Sequence, residues 1–243
     1  MAEIRTISST GGEKGTKVQA YDKIPNLALT ELAKLFKLGS LKYASRNWSR
    51  GYEWSKSYAA MQRHANLWWS GESIDLELHL NHMASVAWHA MVMLEFTITK
   101  PSFDDRPYSK ENSKEDTAVK IDTEYPVNHV DDDEELRGGN IEPRFDLIPQ
   151  RPLAQLAELY GTRRVIPIGT EGRLWSDMYA RLQEHANLFW SGQTYDSDGF
   201  NHMAYVLHYS FQLFELYMRF PEFDDRFTEE LGAAPIGFTS DPA

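Results

Sequence analysis

Apolar side chains recur at helical spacing along much of the chain, whereas strand-like alternation is weak. A first helix is predicted to begin near Pro25, because proline suits the first helical turn and apolar residues then follow near helical spacing. These apolar residues are Leu29, Leu32, Leu35, Phe36 and Tyr43. Turn-forming residues in the stretch NWSRGYEW, residues 47–54, end this pattern.

Two further helices are predicted after this turn. One covers about residues 55–70, with Gly71 at its end, and the next covers about residues 76–97. Their inward faces carry Tyr58, Met61, Ala65 and Trp68 in the second helix and Met83, Val86, Ala87, Ala90, Met91 and Leu94 in the third. Because β-branched residues are scarce, no main sheet is expected, and the pattern predicts an all-α fold.

One phrase occurs twice in the chain. QRHANLWWSGESID at residues 62–75 returns as QEHANLFWSGQTYD at residues 183–196, and shorter matches around it keep their order. We interpret this as a tandem duplication of a unit of about 85 residues. The predicted organisation is an N-terminal tail 1–20, a first helical repeat 21–106, an acidic linker 107–143, a second repeat 144–227 and a C-terminal tail 228–243. Since neither unit would bury a large core alone, the repeats are expected to pack as an internal pseudo-dimer.

Charge and composition narrow the choice of partners. The net charge is −11, and the linker holds most of the excess, with eleven acidic and four basic residues. The acidity argues against nonspecific nucleic-acid binding, although the nearly neutral remainder could hold a small anion. No apolar run approaches the roughly 20 residues of a membrane span, and the polar N-terminus is no signal peptide. Because the chain has no cysteine, a metal would need carboxylate or imidazole ligands.

Carboxylates and imidazoles collect around the predicted junction between the second and third helices of the first repeat. The acidic and imidazole residues of this region and of the first helix are Glu31, Glu72, Asp75, Glu77, His79, His82 and His89. His79 and His82 are three residues apart, which would place both on the first turns of the third helix. Such a set suits a divalent cation such as Mg²⁺ or Mn²⁺. Acidic residues also favour a helix start electrostatically, and lone histidines often satisfy core polar groups, so the spacing leaves both readings open.

A basic and aromatic loop follows the first helix. The stretch KYASRNWSRG offers Lys42, Tyr43, Arg46, Asn47, Trp48 and Arg50. Cations beside an aromatic ring and an amide could hold a nucleotide, with its base on the ring and its phosphates on the cations. Arg63 and His64 add a cation and a titratable group on the second helix. A polar loop with one anchoring tryptophan is the alternative.

The two copies differ at chemically informative positions. The aligned differences are Glu31/Gln155, Glu72/Gln193, Arg63/Glu184 and His79/Gly199, and the conserved pairs are His64/His185, Asn66/Asn187, Asp75/Asp196, His82/His202 and Glu95/Glu215. The loop KYASRNW has no counterpart in the second copy. Two carboxylate-to-amide changes keep side-chain shape but remove charge. We interpret the second copy as a partner that kept the fold and lost acidic ligands, with surface drift as the alternative.

Three stretches together resemble a known family. ELAKLFKLGSLKYASRNW, RHANLWWSGESID and HLNHMASVAWHAMVMLE resemble the phage-type dATP/dGTP diphosphohydrolase domain, which is similar to MazG-like all-α NTP pyrophosphohydrolases. The first repeat carries the whole pattern and the second its later two-thirds. The resemblance implies helical subunits that form dimers or tetramers, bind Mg²⁺ or Mn²⁺, and hydrolyse a purine (deoxy)nucleoside triphosphate to monophosphate and pyrophosphate, or a diphosphate. It also implies a phage protein in the cytoplasm of an infected bacterial cell.

The resemblance assigns roles to residues of the first repeat. Glu31, Glu72 and Asp75 become catalytic metal ligands, and His79 and His82 become ligands or groups behind them. The implied substrate-binding residues are Lys42, Tyr43, Arg46, Asn47, Trp48, Arg63 and His64, with the cations on phosphate and Asn47 and Trp48 on the base. The metal would neutralise the phosphates and lower the pKa of an attacking water.

This sequence departs from the MazG-like pattern in two places. Those enzymes usually pair Glu-x-x-Glu on one helix with Glu-x-x-Asp on another. Here Lys34 stands three positions after Glu31, and the Glu72-x-x-Asp75 pair lies at a predicted helix junction. Both departures weigh against a site with two or three metals. They leave open a non-catalytic protein that sequesters a nucleotide, and a structural protein that contacts other chains through its acidic linker and tails.

Overall fold

The helical prediction is confirmed in a computed structural model, which describes residues 4–108, 141–162, 165 and 174–226. Most of the predicted acidic linker and the predicted C-terminal tail lie outside these ranges. The described helices are α1 (Asn26–Lys42), α2 (Trp54–Trp69), α3 (His82–Thr99), α4 (Gln150–Gly161), α5 (Trp175–Trp190) and α6 (His202–Arg219). The only sheet in this part of the chain is an antiparallel hairpin of β1 (Ile4–Ile7) and β2 (Glu13–Thr16).

Helices α3 and α6 form the centre of the molecule. They pack against each other, while α2 packs on α3 and α5 packs on α6. One hydrophobic core runs through both halves of the described chain, the first half being residues 4–108 and the second residues 141–162, 165 and 174–226. Its largest fully buried side chains include Trp68, Trp175, Phe96, Phe189 and Phe211. Within the described ranges, no helix is both long enough and apolar enough to cross a membrane.

The third helix begins later than its apolar pattern predicts. It starts at His82 rather than near residue 76, because a turn comes first. The Asp75 Oδ1 atom accepts hydrogen bonds from the backbone N–H groups of Glu77 and Leu78, at 2.8 and 3.0 Å. Asn81 then caps the helix by accepting the N–H of Met83 at 2.8 Å. The prediction that His79 lies on the first helical turn is therefore wrong.

Two buried arginines join the halves in both directions. The guanidinium of Arg106 donates to the carbonyl oxygen of Phe189 at 2.6 Å, and that of Arg226 donates to the carbonyl oxygen of Trp68 at 2.7 Å. Each guanidinium also lies over two core aromatic rings and pairs with an aspartate two residues before it. Residues at equivalent positions of the two halves thus make the same contact with the opposite half.

A second pair of contacts repeats this reciprocity on the outer helices. The Tyr58 hydroxyl donates to the amide oxygen of Asn187 at 3.3 Å, and the Tyr179 hydroxyl donates to that of Asn66 at 3.2 Å. Both tyrosine rings stack on tryptophans of the opposite half, with centroids 4.3 and 4.5 Å apart. Helices α2 and α5 are therefore held by paired, equivalent contacts.

The segment that precedes the first helix of each half packs on the other half. The N–H of Ala20 donates to the carbonyl oxygen of Ala157 in α4 at 2.9 Å. In the opposite direction, the N–H of Arg144 donates to the carbonyl oxygen of Ala33 in α1 at 3.3 Å. This second contact brings Leu147 to the wall of a cavity in the first half.

Candidate active site

A cavity of about 870 Å³ opens among the first three helices. Its walls come from α1, the loop after it, α2, the turn before α3, and α3 itself. Leu147 of the second half completes the wall. The cavity therefore lies within the first half but uses a residue from the other.

Three side chains that could ligate a metal meet at this cavity. The Nδ1 atoms of His64 and His82 are 2.9 Å apart, and the Asp75 Oδ2 atom lies 3.6 Å from the first and 3.8 Å from the second. A point equidistant from these three atoms is about 2.0 Å from each, which is the length of a metal–nitrogen or metal–oxygen bond. The three atoms thus fit around one divalent cation.

Local structure holds two of these groups, Asp75 and His82, in place. Because the Asp75 Oδ1 atom is bound by the turn, the Oδ2 atom is the one that faces the imidazoles. His82 begins α3 and is only 1% exposed. Its Nε2 atom lies 3.3 Å from the Glu72 Oε1 atom. Carboxylates in this position commonly fix the tautomer of a metal-binding histidine.

Two imidazoles beside the cavity, those of His64 and His89, are held neutral. Burial, with His82 nearby, lowers the pKa of His64 to about 4. Burial also lowers the pKa of His89, to about 3, and its Nδ1 atom lies 3.2 Å from the Ser57 Oγ atom. A neutral imidazole keeps a nitrogen lone pair, so these pKa values favour metal binding over protonation at neutral pH.

Two residues predicted as ligands lie elsewhere. The Glu31 carboxylate pairs with Lys34 at 3.2 Å, and Glu31 is not among the residues that line the cavity. His79 is exposed, has a positive φ of 54° in the turn, and also does not line the cavity. The Glu31 and His79 side chains are therefore not part of the group around the Asp75 carboxylate, although the His79 backbone N–H donates to the Asp75 carbonyl oxygen at 2.8 Å. The structure brings His64 there instead, a residue predicted as a substrate contact.

The other predicted carboxylate, Glu72, lies at the cavity rim and is 41% exposed in its side chain. Its contact is with His82 rather than with Asp75. Glu77 also lines the cavity, and its carboxylate binds the Lys42 ammonium at 2.6 Å. This hydrogen bond raises the pKa of Lys42. Glu72 and Glu77 thus lie at separate places around the cavity opening, and neither carboxylate contacts Asp75.

Basic side chains surround the same opening. Those that line the cavity are Lys42, Arg46, Lys56 and Arg63, three of them predicted as phosphate contacts. The Arg46 guanidinium donates to the carbonyl oxygen of Asp146 in the second half at 3.1 Å, which fixes the loop after α1. Arg63 is exposed on α2, one residue before His64. The cavity mouth is thus suited to an anion.

The deeper part of the cavity is aromatic. Phe36 lies between Trp48 and Trp88, with ring centroids 6.4 and 6.0 Å away. The predicted contacts Tyr43 and Asn47 also line this cavity. Two buried donors, Trp48 Nε1 and Ser85 Oγ, have no hydrogen-bond partner among the residues described. Unpaired buried donors are costly, and a ligand with acceptor atoms would satisfy them.

Comparison with known proteins bears on this half of the chain. Residues 8–106 match the family model described as dATP/dGTP diphosphohydrolase, N-terminal. This region is similar to that family's N-terminal domain. The match supports the dNTP diphosphohydrolase family, and so confirms at that level the resemblance predicted from the sequence. No curated protein and no solved structure matches the chain significantly.

The cavity lies almost wholly within the diphosphohydrolase-like region, and sequence reasoning missed several of its residues. The cavity residues not predicted to contact a ligand include Lys56, Ser57, Ser85, Trp88 and Leu147. Nothing in the sequence indicates that Leu147 lines the cavity, because it reaches the cavity only through the packing of the two halves. For Ser85 the sequence does give an indication, because the aligned residue of the second half is the much larger Tyr205.

Proposed function

We propose that this protein is a metal-dependent (deoxy)nucleoside triphosphate pyrophosphohydrolase that acts on purine nucleotides such as dATP and dGTP. The observation that carries the proposal is the triangle of His64, Asp75 and His82 in a cavity with a basic mouth and an aromatic interior. The family-model match over the same residues supports it.

The donor set bears on the choice of metal. His64, Asp75 and His82 would hold the cation. Two imidazoles and a carboxylate suit Mn²⁺ better than Mg²⁺, which prefers oxygen ligands and retains its waters. When bound, the ion supplies charge neutralisation on the phosphates and a bound water of lowered pKa. We propose Mn²⁺ as the preferred cofactor and one metal rather than two or three, because Glu31 lies outside the cavity.

The remaining side chains orient the substrate and the ligands. Glu72 accepts a hydrogen bond from the His82 Nε2–H group, which leaves the Nδ1 lone pair directed toward Asp75 and His64. The cations at the mouth bind the phosphates, with Arg63 nearest in sequence to His64. The rings of Phe36 and Trp48 hold the base.

The second half has a supporting role in this proposal. We infer that the halves arose by tandem duplication and pack as an internal pseudo-dimer, which the reciprocal contacts of Arg106 and Arg226 support. The second half supplies Leu147 to the cavity wall and the carbonyl oxygen of Asp146 to Arg46. The active half would therefore be incomplete without its partner.

Product analysis tests the activity directly. The purified chain is incubated with each dNTP and NTP, with Mn²⁺ or Mg²⁺, and the products are separated by ion-exchange chromatography. We expect dGTP and dATP to give monophosphate and pyrophosphate in equal amounts, faster with Mn²⁺. Release of inorganic phosphate and a nucleoside diphosphate would contradict the proposed reaction, and release of triphosphate would do so as well.

One observation favours a second candidate function. The Glu31 carboxylate pairs with Lys34 instead of facing Asp75, so the site has fewer carboxylates than the family pattern leads one to expect. A protein that sequesters a nucleotide needs the basic and aromatic cavity but no catalytic metal set. Micromolar or tighter binding of dGTP without turnover, with either metal, would establish this alternative.

A further inference from the structure

The second half retains the donor groups of the candidate metal site. The Nδ1 atoms of His185 and His202 are 2.8 Å apart. The Asp196 Oδ1 atom accepts the N–H groups of Asp198 and Phe200, both at 2.9 Å. The turn that orients Asp75 is similar, although its Oδ1 atom accepts from the residues two and three positions on rather than two and four. The second half therefore has the same pair of imidazoles and a similarly held aspartate, but among the described residues only His64, Asp75 and His82 bring three such ligand atoms within 4.8 Å of one another.

Tyr205 occupies the space between these groups. Its ring stacks on the His185 imidazole, with centroids 4.2 Å apart and planes within 6° of parallel. Its hydroxyl donates to the Asp196 Oδ2 atom at 2.8 Å. Tyr205 is only 7% exposed. The carboxylate oxygen whose counterpart faces the histidines in the first half is thus bound by a phenol in the second.

The equivalent residue of the first half is Ser85. It is 3% exposed and lines the cavity, and its Oγ atom has no hydrogen-bond partner in the described part of the chain. A serine side chain ends at the γ atom, so it leaves open the volume that a tyrosine ring would fill. The neighbouring Asp75 Oδ2 atom contacts His64 and His82 instead.

We propose that the second half contains a latent divalent-cation site made of His185, Asp196 and His202, and that Tyr205 closes it. The phenol fills the space beside His185, and its O–H group takes the place of the cation on Asp196. Ser85 is the residue that keeps the corresponding space open in the first half. This inference rests on the proposed function, because the cation chemistry is taken from the first half.

The described part of the second half has no counterpart of the aromatic cavity, so removing Tyr205 would not restore a pocket for a base. His208 replaces Trp88, and its Nδ1 atom bonds the Tyr160 hydroxyl at 3.0 Å. Tyr160 itself replaces Phe36 and is 1% exposed. A hydrogen-bonded core thus stands where the first half has its aromatic cavity. Removing Tyr205 is therefore expected to create a cation site without a base pocket.

Counting bound Mn²⁺ in the full-length chain tests the inference. Free Mn²⁺ is measured by electron paramagnetic resonance during titration of the wild type, Tyr205→Ser and Tyr205→Phe. We expect Tyr205→Ser to bind one more Mn²⁺ per chain than the wild type. Tyr205→Phe keeps the ring and should show no gain. Equal counts for Tyr205→Ser and the wild type would overturn the proposal.

The design separates this inference from the proposed function. The wild-type count tests the site of the first half, whereas the difference between Tyr205→Ser and the wild type tests the latent site. If Tyr205→Ser does not fold, Ser85→Tyr decides, because it adds a ring to an existing cavity. Loss of one Mn²⁺ relative to the wild type then supports a tyrosine at this position as the closing group, and an unchanged count contradicts it.

Discussion

The Nδ1 atoms of His64 and His82 lie 2.9 Å apart, and His185 and His202 repeat this contact at 2.8 Å in the second half. Two imidazole nitrogens this close must either share a proton or both direct lone pairs at a cation. The pair is thus common to both halves. One residue that differs between the halves at this place is Ser85, which corresponds to Tyr205 of the second half.

The exposed turn residue His79 should be replaceable without loss of function. Its φ of 54° is costly for a residue with a side chain, and Gly199 occupies the equivalent turn position with a φ of 86°. We expect His79→Gly to raise the free energy of unfolding by about 1 kcal/mol and to leave Mn²⁺ binding unchanged. Urea denaturation measures the first effect.

The matched control for His79 is Gly199→Ala. No atom of the described residues lies within 4 Å of a Cβ atom added at Gly199, so only backbone strain is introduced. This variant should lose about 1 kcal/mol of stability. A stabilised Gly199→Ala or a destabilised His79→Gly would refute the strain argument. Loss of Mn²⁺ binding in His79→Gly would instead indicate that His79 is a metal ligand.

Acid should destabilise the fold through the buried histidines. Burial, with His202 nearby, lowers the pKa of His185 to about 4, whereas an unfolded histidine titrates near 6.5. The unfolded chain therefore binds more protons between these values. Stability should be full above pH 6.5 and fall as the pH drops toward 4. Urea midpoints measured across this range, without added metal, give the slope.

The comparison variant for this pH effect is His185→Phe. It removes one group that is neutral when folded and protonated when unfolded, so the loss of stability between pH 6.5 and 4 should become shallower. Its absolute stability at pH 7 is a separate quantity and does not enter the test. A slope equal to that of the wild type would show that His185 is already protonated in the folded chain.

The buried arginines should contribute strongly to the free energy of unfolding, because they join the two halves. Arg226 is 4% exposed, donates to the Trp68 carbonyl oxygen and pairs with Asp224. Arg226→Ala leaves that aspartate unpaired and should cost about 3–5 kcal/mol, measured by urea denaturation. Arg5→Ala, which removes a surface pair with Glu13, should change stability little. A loss below 1 kcal/mol in Arg226→Ala would contradict a structural role.

Gly161 permits the close approach of the N-terminal segment. A Cβ atom there would lie 1.7 Å from the backbone oxygen of Val18. We expect Gly161→Ala to displace that segment and to break the bond from the Ala20 N–H group to Ala157. Hydrogen exchange at Ala20 should become faster. In Gly39→Ala, where the part of the chain that the structure describes has no atom within 4 Å of the added one, exchange at Ala20 should not change.

Most of the fold could be predicted from the sequence because helices have a local signature. The bounds of α2 agree with its apolar pattern to within one residue, since packing and periodicity coincide there. The start of α3 was missed because Asp75 binds two backbone N–H groups of the following turn. The Asp75 side chain competes with the helix for these N–H groups, and the spacing of apolar residues gives no sign of that competition.

The site was only partly predictable. Asp75 and His82 were proposed as ligands from their residue types, and the structure brings them together across a turn. Assigning His64 the same role required knowing that α2 crosses the start of α3. Glu31 belonged to the same set of candidate ligands, but its carboxylate pairs with Lys34, three positions further along the same helix.

The most direct test of the central claim compares Asp75→Asn with Asp196→Asn. These substitutions remove the same carboxylate charge from equivalent turns of the two halves. Initial rates of pyrophosphate release from dGTP are measured at saturating Mn²⁺. The account predicts that Asp75→Asn lowers kcat at least about 100-fold, because a metal ligand is lost, while Asp196→Asn stays near the wild-type rate. Equal rates in the two variants, or loss of activity only in Asp196→Asn, would contradict the account.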